Sequence, residues 1–116
     1  SIVTLSYYGA EKVIDNYNLM GPVKAALEGS VRYLAHELGP KKIRVNALSP
    51  GPVMTRAASG LSHFDALMEK AAQAAPIHQL VTVEQIGEMA AFLVSDKAQH
   101  VTGQTIYVDN GYSSIG

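Results

Sequence analysis

The sequence has no cysteine, which excludes a disulfide framework and any thiolate chemistry, whether as nucleophile or as metal ligand. It has no excess of either charge: the formal net charge is −1, so nothing in it courts a nucleic acid or an anionic membrane surface. No apolar run approaches the roughly 18 residues of a membrane-spanning helix. There are no repeats, no low-complexity tracts and no Gly-x-Ser-x-Gly elbow for nucleophilic hydrolysis. The histidines at 36, 63, 78 and 100 lack metal-ligand spacing and acidic companions, so no metal site is expected. What remains is 116 residues, 47% of them hydrophobic and 16% charged, enough for one domain with a core and too few for two. The expectation is a soluble, cytoplasmic protein.

Along the chain, residues 1–6 are apolar and β-branched and predict a short buried strand. With no turn or cap before it, this strand reads as a central one, and the chain as part of a larger domain. A polar loop follows over residues 8–18. Met20, Val23, Leu27, Val31, Leu34 and Leu38 then recur at spacings of three and four, an apolar helical stripe, with Gly39-Pro40 as its stop. Pro22 fits that helix only in its first turn. Lys41, Lys42 and Arg44 suit the negative end of the helix dipole. Residues 43–48 predict a second strand, and residues 49–52, Ser-Pro-Gly-Pro, a rigid loop at its C-terminal end. Residues 53–63 read as a mobile segment, 64–75 as an alanine-rich helix ended by Pro76, and 83–94 as an amphipathic helix. In the last, Ile86, Met89, Ala90 and Leu93 share one face while Glu84, Gln85 and Glu88 point outward. Residues 104–108 predict a third strand and Asp109-Asn110-Gly111 a turn. Strand, helix, strand, helices, strand is the rhythm of a parallel α/β sheet.

In open parallel sheets ligands lie beyond the C-terminal strand ends. Those ends carry Ser6-Tyr7, then residues 49–52, then Asp109-Asn110. Tyr17 and Lys24 would open the intervening helix, seven residues and nearly two turns apart, on one face and about 10 Å apart along the axis. A lysine beside a tyrosine hydroxyl favours the phenolate and would lower the tyrosine pKa, useful for an acid at neutral pH. Taken alone, that pair is a weak signal.

The surrounding residues make it specific. The chain reads Leu-Ser-Tyr-Tyr-Gly-Ala-Glu-Lys over residues 5–12 and Asn-Tyr-Asn-Leu-Met-Gly-Pro-Val-Lys over residues 16–24. Short-chain dehydrogenases usually carry a strand-end serine and Tyr-x-x-x-Lys; anchored on Lys24, those positions hold Tyr7 and Met20. The pattern instead resembles the divergent enoyl-acyl carrier protein reductases, with one tyrosine ending the strand and another in Tyr-x6-Lys. The likeness continues through residues 39–40, 44–47, 49–55, 57–60, 82–84, 90–93, 95–96 and 103–111, and so covers essentially the whole chain.

The resemblance implies a Rossmann-like doubly wound parallel α/β sheet, with residues 1–116 as the C-terminal half of one reductase domain and a substrate lid over about 53–75. It implies a hydride donor, NADH with NADPH possible, and a trans-2-enoyl thioester of acyl carrier protein or coenzyme A as substrate, in fatty-acid synthesis. Tyr17, Lys24 and Tyr7 would be catalytic. Lys24, Ser6, Pro50, Gly51, Pro52, Val53, Thr55 and Ala57 would meet the cofactor. Tyr7, Tyr17, Met20, Ala57, Leu61 and Phe64 would meet the substrate. Ser62-His63-Phe64-Asp65 lacks the basic residues that would steer an acidic carrier protein. The glycine-rich phosphate turn would belong to an N-terminal half, and a homotetramer is implied. Two alternatives stand beside this reading: a same-fold enzyme acting on a ketone or alcohol, and a non-catalytic oligomerising module. Neither nucleic acid nor membrane is implied as a partner.

Overall fold

The computed structural model of the chain describes residues 1–53 and 64–115, with only the backbone of Phe64 included. Three strands, β1 (Ile2–Leu5), β2 (Val45–Pro50) and β3 (Thr105–Val108), form a parallel sheet in the order β1-β2-β3. Its register sets Leu5 opposite Leu48 and Ser49 opposite Tyr107. Helix α1 (Met20–Leu38) connects β1 to β2. Helices α2 (Phe64–Ala74) and α3 (Val83–Val94) lie between β2 and β3. Element boundaries fall within one or two residues of those predicted, except at the start of α1.

Side-chain alternation along β2 divides the core in two. Val45 and Ala47 pack with Val31 and Ala35 of α1. Leu48, from the other face, packs with Leu93 of α3, joined by Val3, Ile86, Met89 and Ile106. Helices therefore cover both faces, as the doubly wound α/β expectation requires. β2, with neighbours on both sides, is buried from Val45 to Ser49. β1 is an edge of this sheet, paired only with β2, and Ile2 and Leu5 are exposed.

The apolar stripe of α1 does not face the core as a whole. Val31 is buried, but Met20, Val23 and Leu34 are exposed, and the buried positions are Glu28, Val31 and Ala35. The sheet takes a neighbouring face of the helix, one that begins with Lys24 and Glu28. The α-helix stops at Gly39, as predicted, although not through a left-handed glycine. Gly39 keeps right-handed helical angles, and the chain runs on through a 3₁₀ turn, Gly39–Lys41, to Lys42 at φ 61°. Arg44 does not serve α1. Its guanidinium reaches across to α3 and the loop after it, donating to the carbonyls of Leu93 at 2.7 Å and Ser95 at 3.1 Å. It thereby satisfies acceptors that the end of α3 leaves open. The start of α3 is closed by a capping box between Thr82 and Gln85. Among the described residues, no helix is long and apolar enough to cross a membrane.

Candidate active site

The C-terminal end of β1 is gripped from α1. The Lys24 ammonium donates to the Leu5 carbonyl at 2.9 Å. The next residue, Ser6, is buried and donates its hydroxyl to the Glu28 carboxylate at 2.6 Å. Tyr7 then leaves the strand, and its ring lies 5.2 Å from that of Tyr17, centroid to centroid, tilted by 55°. The chain thus brings Ser6, Tyr7, Tyr17 and Lys24 to one strand end, as their spacing predicts.

Tyr17 reaches this place differently from the prediction. It does not open the helix, which begins at Met20; it sits in the turn before it, flanked by Asn16 at φ 64° and Asn18 at φ 53°. Asparagine tolerates this left-handed backbone better than most residues. Two such positions fold the loop back so that the Tyr17 ring lies on the backbone of Gly9. A Cβ at Gly9 would fall 2.6 Å from the ring, so this glycine is required by close approach. The helical spacing argument thus does not describe the local geometry, in which Tyr17 comes from the loop and Lys24 from the helix.

The electrostatic expectation is reversed as well. Burial pushes the Tyr17 phenol above its ordinary value. The Lys24 charge, directed at the Leu5 carbonyl, does not offset this. Burial likewise raises Tyr7, with smaller contributions from Tyr112, Tyr17 and Tyr8. Both tyrosines are therefore neutral phenols at neutral pH, suited to donating a hydrogen bond.

At the end of β2, Pro50 still belongs to the strand, so the loop begins at Gly51. The Gly51 amide donates to the Val108 carbonyl at 3.0 Å and prolongs the ladder with β3. A Cβ on Gly51 would lie 2.8 Å from the Asp109 Cβ, so glycine is needed here for contact with the third strand end. Asp109 in turn accepts from the amides of Gly111 and Ser113 at 3.0 and 2.9 Å, which shapes the C-terminal turn. That turn sets Tyr112 edge-on to Tyr8, 5.8 Å between centroids. A cleft of about 550 Å³ opens between these parts, with Tyr7, Ile14, Pro52, Met68 and Tyr112 in its walls. A second groove of about 520 Å³ runs along the other side of the 13–17 loop, past Tyr17, Gly21 and Ala25.

Several predicted residues are not gathered here. Met20 opens α1 with its side chain 44% exposed and lines neither cleft. Val53 borders a separate depression beside Leu80 and Val81. Thr55, Ala57, Leu61 and the Phe64 side chain lie outside the described residues, as do residues 54–63 of the expected lid. Sequence reasoning missed Glu28, Gly9 and Tyr112. Glu28 had a signal, an acid four residues after Lys24 on a helix that covers the sheet. Gly9 and Tyr112 had none, since each matters only through a contact distant in sequence.

A parallel sheet covered on both faces by helices defines a Rossmann-like α/β protein, and Tyr17 and Lys24 lie near the C-terminal strand ends, where that architecture places ligands. A family model described as enoyl-(acyl carrier protein) reductase matches residues 1–113. All 116 residues align at 53% identity with the NADH enoyl-[acyl-carrier-protein] reductase FabI of Rickettsia prowazekii, covering 44% of that protein. The corresponding FabI of Bacillus cereus is 47% identical over the same span, 45% of its length. Among solved structures, the Anaplasma phagocytophilum reductase in complex with NAD superimposes with a TM-score of 0.92 at 50% identity, over 99% of this chain and 44% of that one. The Bacillus cereus reductase with NADP+ and indole naphthyridinone gives 0.94 at 48% identity, over 99% and 45%. The chain belongs to the enoyl-(acyl carrier protein) reductase family. It spans less than half the length of the relatives it matches.

Proposed function

We propose that the full-length protein reduces trans-2-enoyl thioesters in fatty-acid synthesis, with NADH as donor and NADPH as an alternative, and that this chain supplies the acid side of the site. The observation that carries the reading is the pairing of Tyr17 with Tyr7 beside Lys24 at the end of β1. The cofactor fits on its ribose side. An ammonium has three donors, so the bond to Leu5 leaves Lys24 able to meet ribose hydroxyls. The loop at Pro50, Gly51, Pro52 and Val53 fits less freely, because the Gly51 amide is already spent on Val108. When bound, the nicotinamide supplies hydride to C3 of the substrate.

The chain's own residues do the rest. The neutral Tyr17 phenol donates to the thioester carbonyl, where negative charge develops as the enolate forms. A preplaced donor of that kind contributes about 3 kcal/mol. Lys24 holds the ribose, and its charge favours the same developing anion. Tyr7 walls the acyl cleft beside Tyr17, with Ser6 behind it. Ala57, Leu61 and Phe64 would close over the acyl chain, Met20 would meet it from the start of α1, and Thr55 would approach the pyrophosphate. The thioester is carried by acyl carrier protein or coenzyme A. The free edge of β1 would pair with an N-terminal half bearing the glycine-rich turn. Met20, Val23 and Leu34 are exposed on α1, which suits contacts between copies in a cytoplasmic homotetramer.

The test is NADH consumption by the full-length protein with a medium-chain trans-2-enoyl thioester, beside its Tyr17→Phe and Lys24→Ala forms. Tyr17→Phe is expected to lower kcat about 100-fold with cofactor affinity unchanged. Lys24→Ala is expected to weaken NADH binding. Cofactor binding without enoyl turnover in the unmutated protein would sink the proposal.

A further inference from the structure

Glu28 is a carboxylate only 7% exposed, turned toward the sheet from α1. Burying a carboxylate costs several kcal/mol unless it is well partnered. Among the described residues its partner is the buried Ser6 hydroxyl, which donates to it at 2.6 Å. The position of that bond is informative. Lys24 and Glu28, one turn apart on α1, hold two successive residues of β1: Lys24 takes the Leu5 carbonyl, and Glu28 takes Ser6. The residue after these is Tyr7, whose ring rests against Tyr17.

The surroundings argue against a role in stability alone. The Ser6 amide donates to the Leu48 carbonyl, which carries the β1–β2 register one step past Leu5–Leu48 and sets Ser6 opposite Ser49. Ser49 is opposite Tyr107. Three hydroxyls thus cross the sheet in one row beneath α1. That of Ser49 is buried with no hydrogen-bond partner among the described residues, and that of Tyr107 is set against the Glu11 and Glu28 carboxylates. Apolar residues in that row would stabilise the fold more. A polar row kept at such a cost, with its one short bond at the strand end that carries the site, indicates that geometry is being held there.

We infer that Glu28 is a positioning residue of the reductase site: through Ser6 it fixes the end of β1, and so sets where Tyr7 and the Lys24 ammonium stand relative to Tyr17. It touches neither substrate nor cofactor. The inference rests on the enoyl-reduction reading and extends it to a residue outside the tyrosine–lysine pattern. Its requirement is an acceptor oxygen for Ser6, and a glutamine can supply one.

The experiment uses the full-length enzyme and its Glu28→Ala, Glu28→Gln, Ser6→Ala and Ser6→Ala/Glu28→Ala forms. For each, kcat and the KM values for NADH and the enoyl thioester are measured beside Tm. Misplacing groups by a fraction of an ångström is expected to lower kcat about tenfold in Glu28→Ala, with the thioester KM within about threefold. Glu28→Gln is expected to stay within about threefold of the unmutated kcat, since the acceptor survives. The double variant is expected to be no slower than the slower single one, because both remove one bond. A Glu28→Ala enzyme with lowered Tm but unchanged kcat overturns the inference, as does a Glu28→Gln enzyme as slow as Glu28→Ala. So does a double variant whose losses multiply. Should Glu28→Ala fail to fold, Ser6→Ala decides by the same kcat criterion. An unmutated enzyme that does not reduce enoyl thioesters overturns the functional reading itself, whereas an active one beside an unimpaired Glu28→Ala overturns the inference alone.

Discussion

The two faces of the sheet are built to different ends. Toward α3 the strands present Val3, Leu48, Ile106 and Val108, which meet Ile86, Met89 and Leu93 in an apolar layer, with the buried Asn46 beside it bonded to Val101 and Gln104. Toward α1 the apolar part is small, four buried residues and Leu38, and it ends before the strand ends are reached. From there the same face carries Ser6, Glu28, Ser49 and Tyr107. Near the C-terminal strand ends, where ligands bind in this architecture, the α1 face turns polar while the α3 face stays apolar. Side-chain alternation thus separates the two ends: Leu48 and its neighbours build the apolar layer, and Ser6, Ser49 and Tyr107, between them near the C-terminal ends, line the side of the proposed site.

The sharpest way to break this division is to remove an anchor from the apolar side. Leu93 is fully buried against Leu48. Leu93→Ala in the full-length protein is expected to cost about 3 kcal/mol by denaturant unfolding, with kcat per folded molecule unchanged. A loss of kcat without a loss of stability would mean that the α3 face also serves the site. The opposite face answers to a smaller change. The Ser49 side chain is wholly buried and its hydroxyl has no partner among the described residues. Ser49→Ala removes a desolvated group that gains nothing, and is expected to raise stability by about 1 kcal/mol. If unfolding shows a loss of that size instead, the row beneath α1 is better satisfied than the contrast requires.

The sequence made one of these faces far more legible than the other. Helix α3 was readable to the residue, because Ile86, Met89, Ala90 and Leu93 repeat at helical spacing and all pack inward. The parallel sheet with crossover helices followed from the alternation of elements. On the α1 side the same reasoning misled. The apolar stripe through Met20, Val23 and Leu34 is the most periodic feature of α1, yet these residues are exposed, and the face on the sheet is the one bearing Lys24 and Glu28. Periodicity registers which residues avoid water, and cannot tell a core from another apolar contact. Tyr17 and Lys24 were legible as a pair through the motif around them. The loop that delivers Tyr17 was not, because it depends on two left-handed asparagines and on the bare backbone of Gly9. The Tyr17 pKa direction was missed for a related reason: burial and the hydrogen bond that claims Lys24 are tertiary facts.

The least effect, and the finest test of the contrast, lies in alkaline solution. Burial raises the Tyr107 phenol to about 12, and the neighbouring Glu11 carboxylate, by its charge and as a hydrogen-bond acceptor, adds to the shift, as do Glu28 and Asp109. In the unfolded chain the same group titrates near its ordinary value of 10.0. The native state therefore keeps a proton that the unfolded state has lost between about pH 10 and about 12, and stability falls with rising pH across that window. Below it both states are protonated and the contribution is fully present. Tyr7 and Tyr17, raised by burial in the same direction, add to the decline, whereas no residue of the α3-facing layer titrates. Tyr107→Phe is expected to leave stability at pH 7 little changed and to make the fall from about pH 10 to about 12 shallower, as read by denaturant unfolding at stepped pH. Coincident profiles for the two proteins would place the alkaline sensitivity elsewhere and take Tyr107 out of the buried polar row. A shallower fall would tie the alkaline limit of the fold to the face that carries its site.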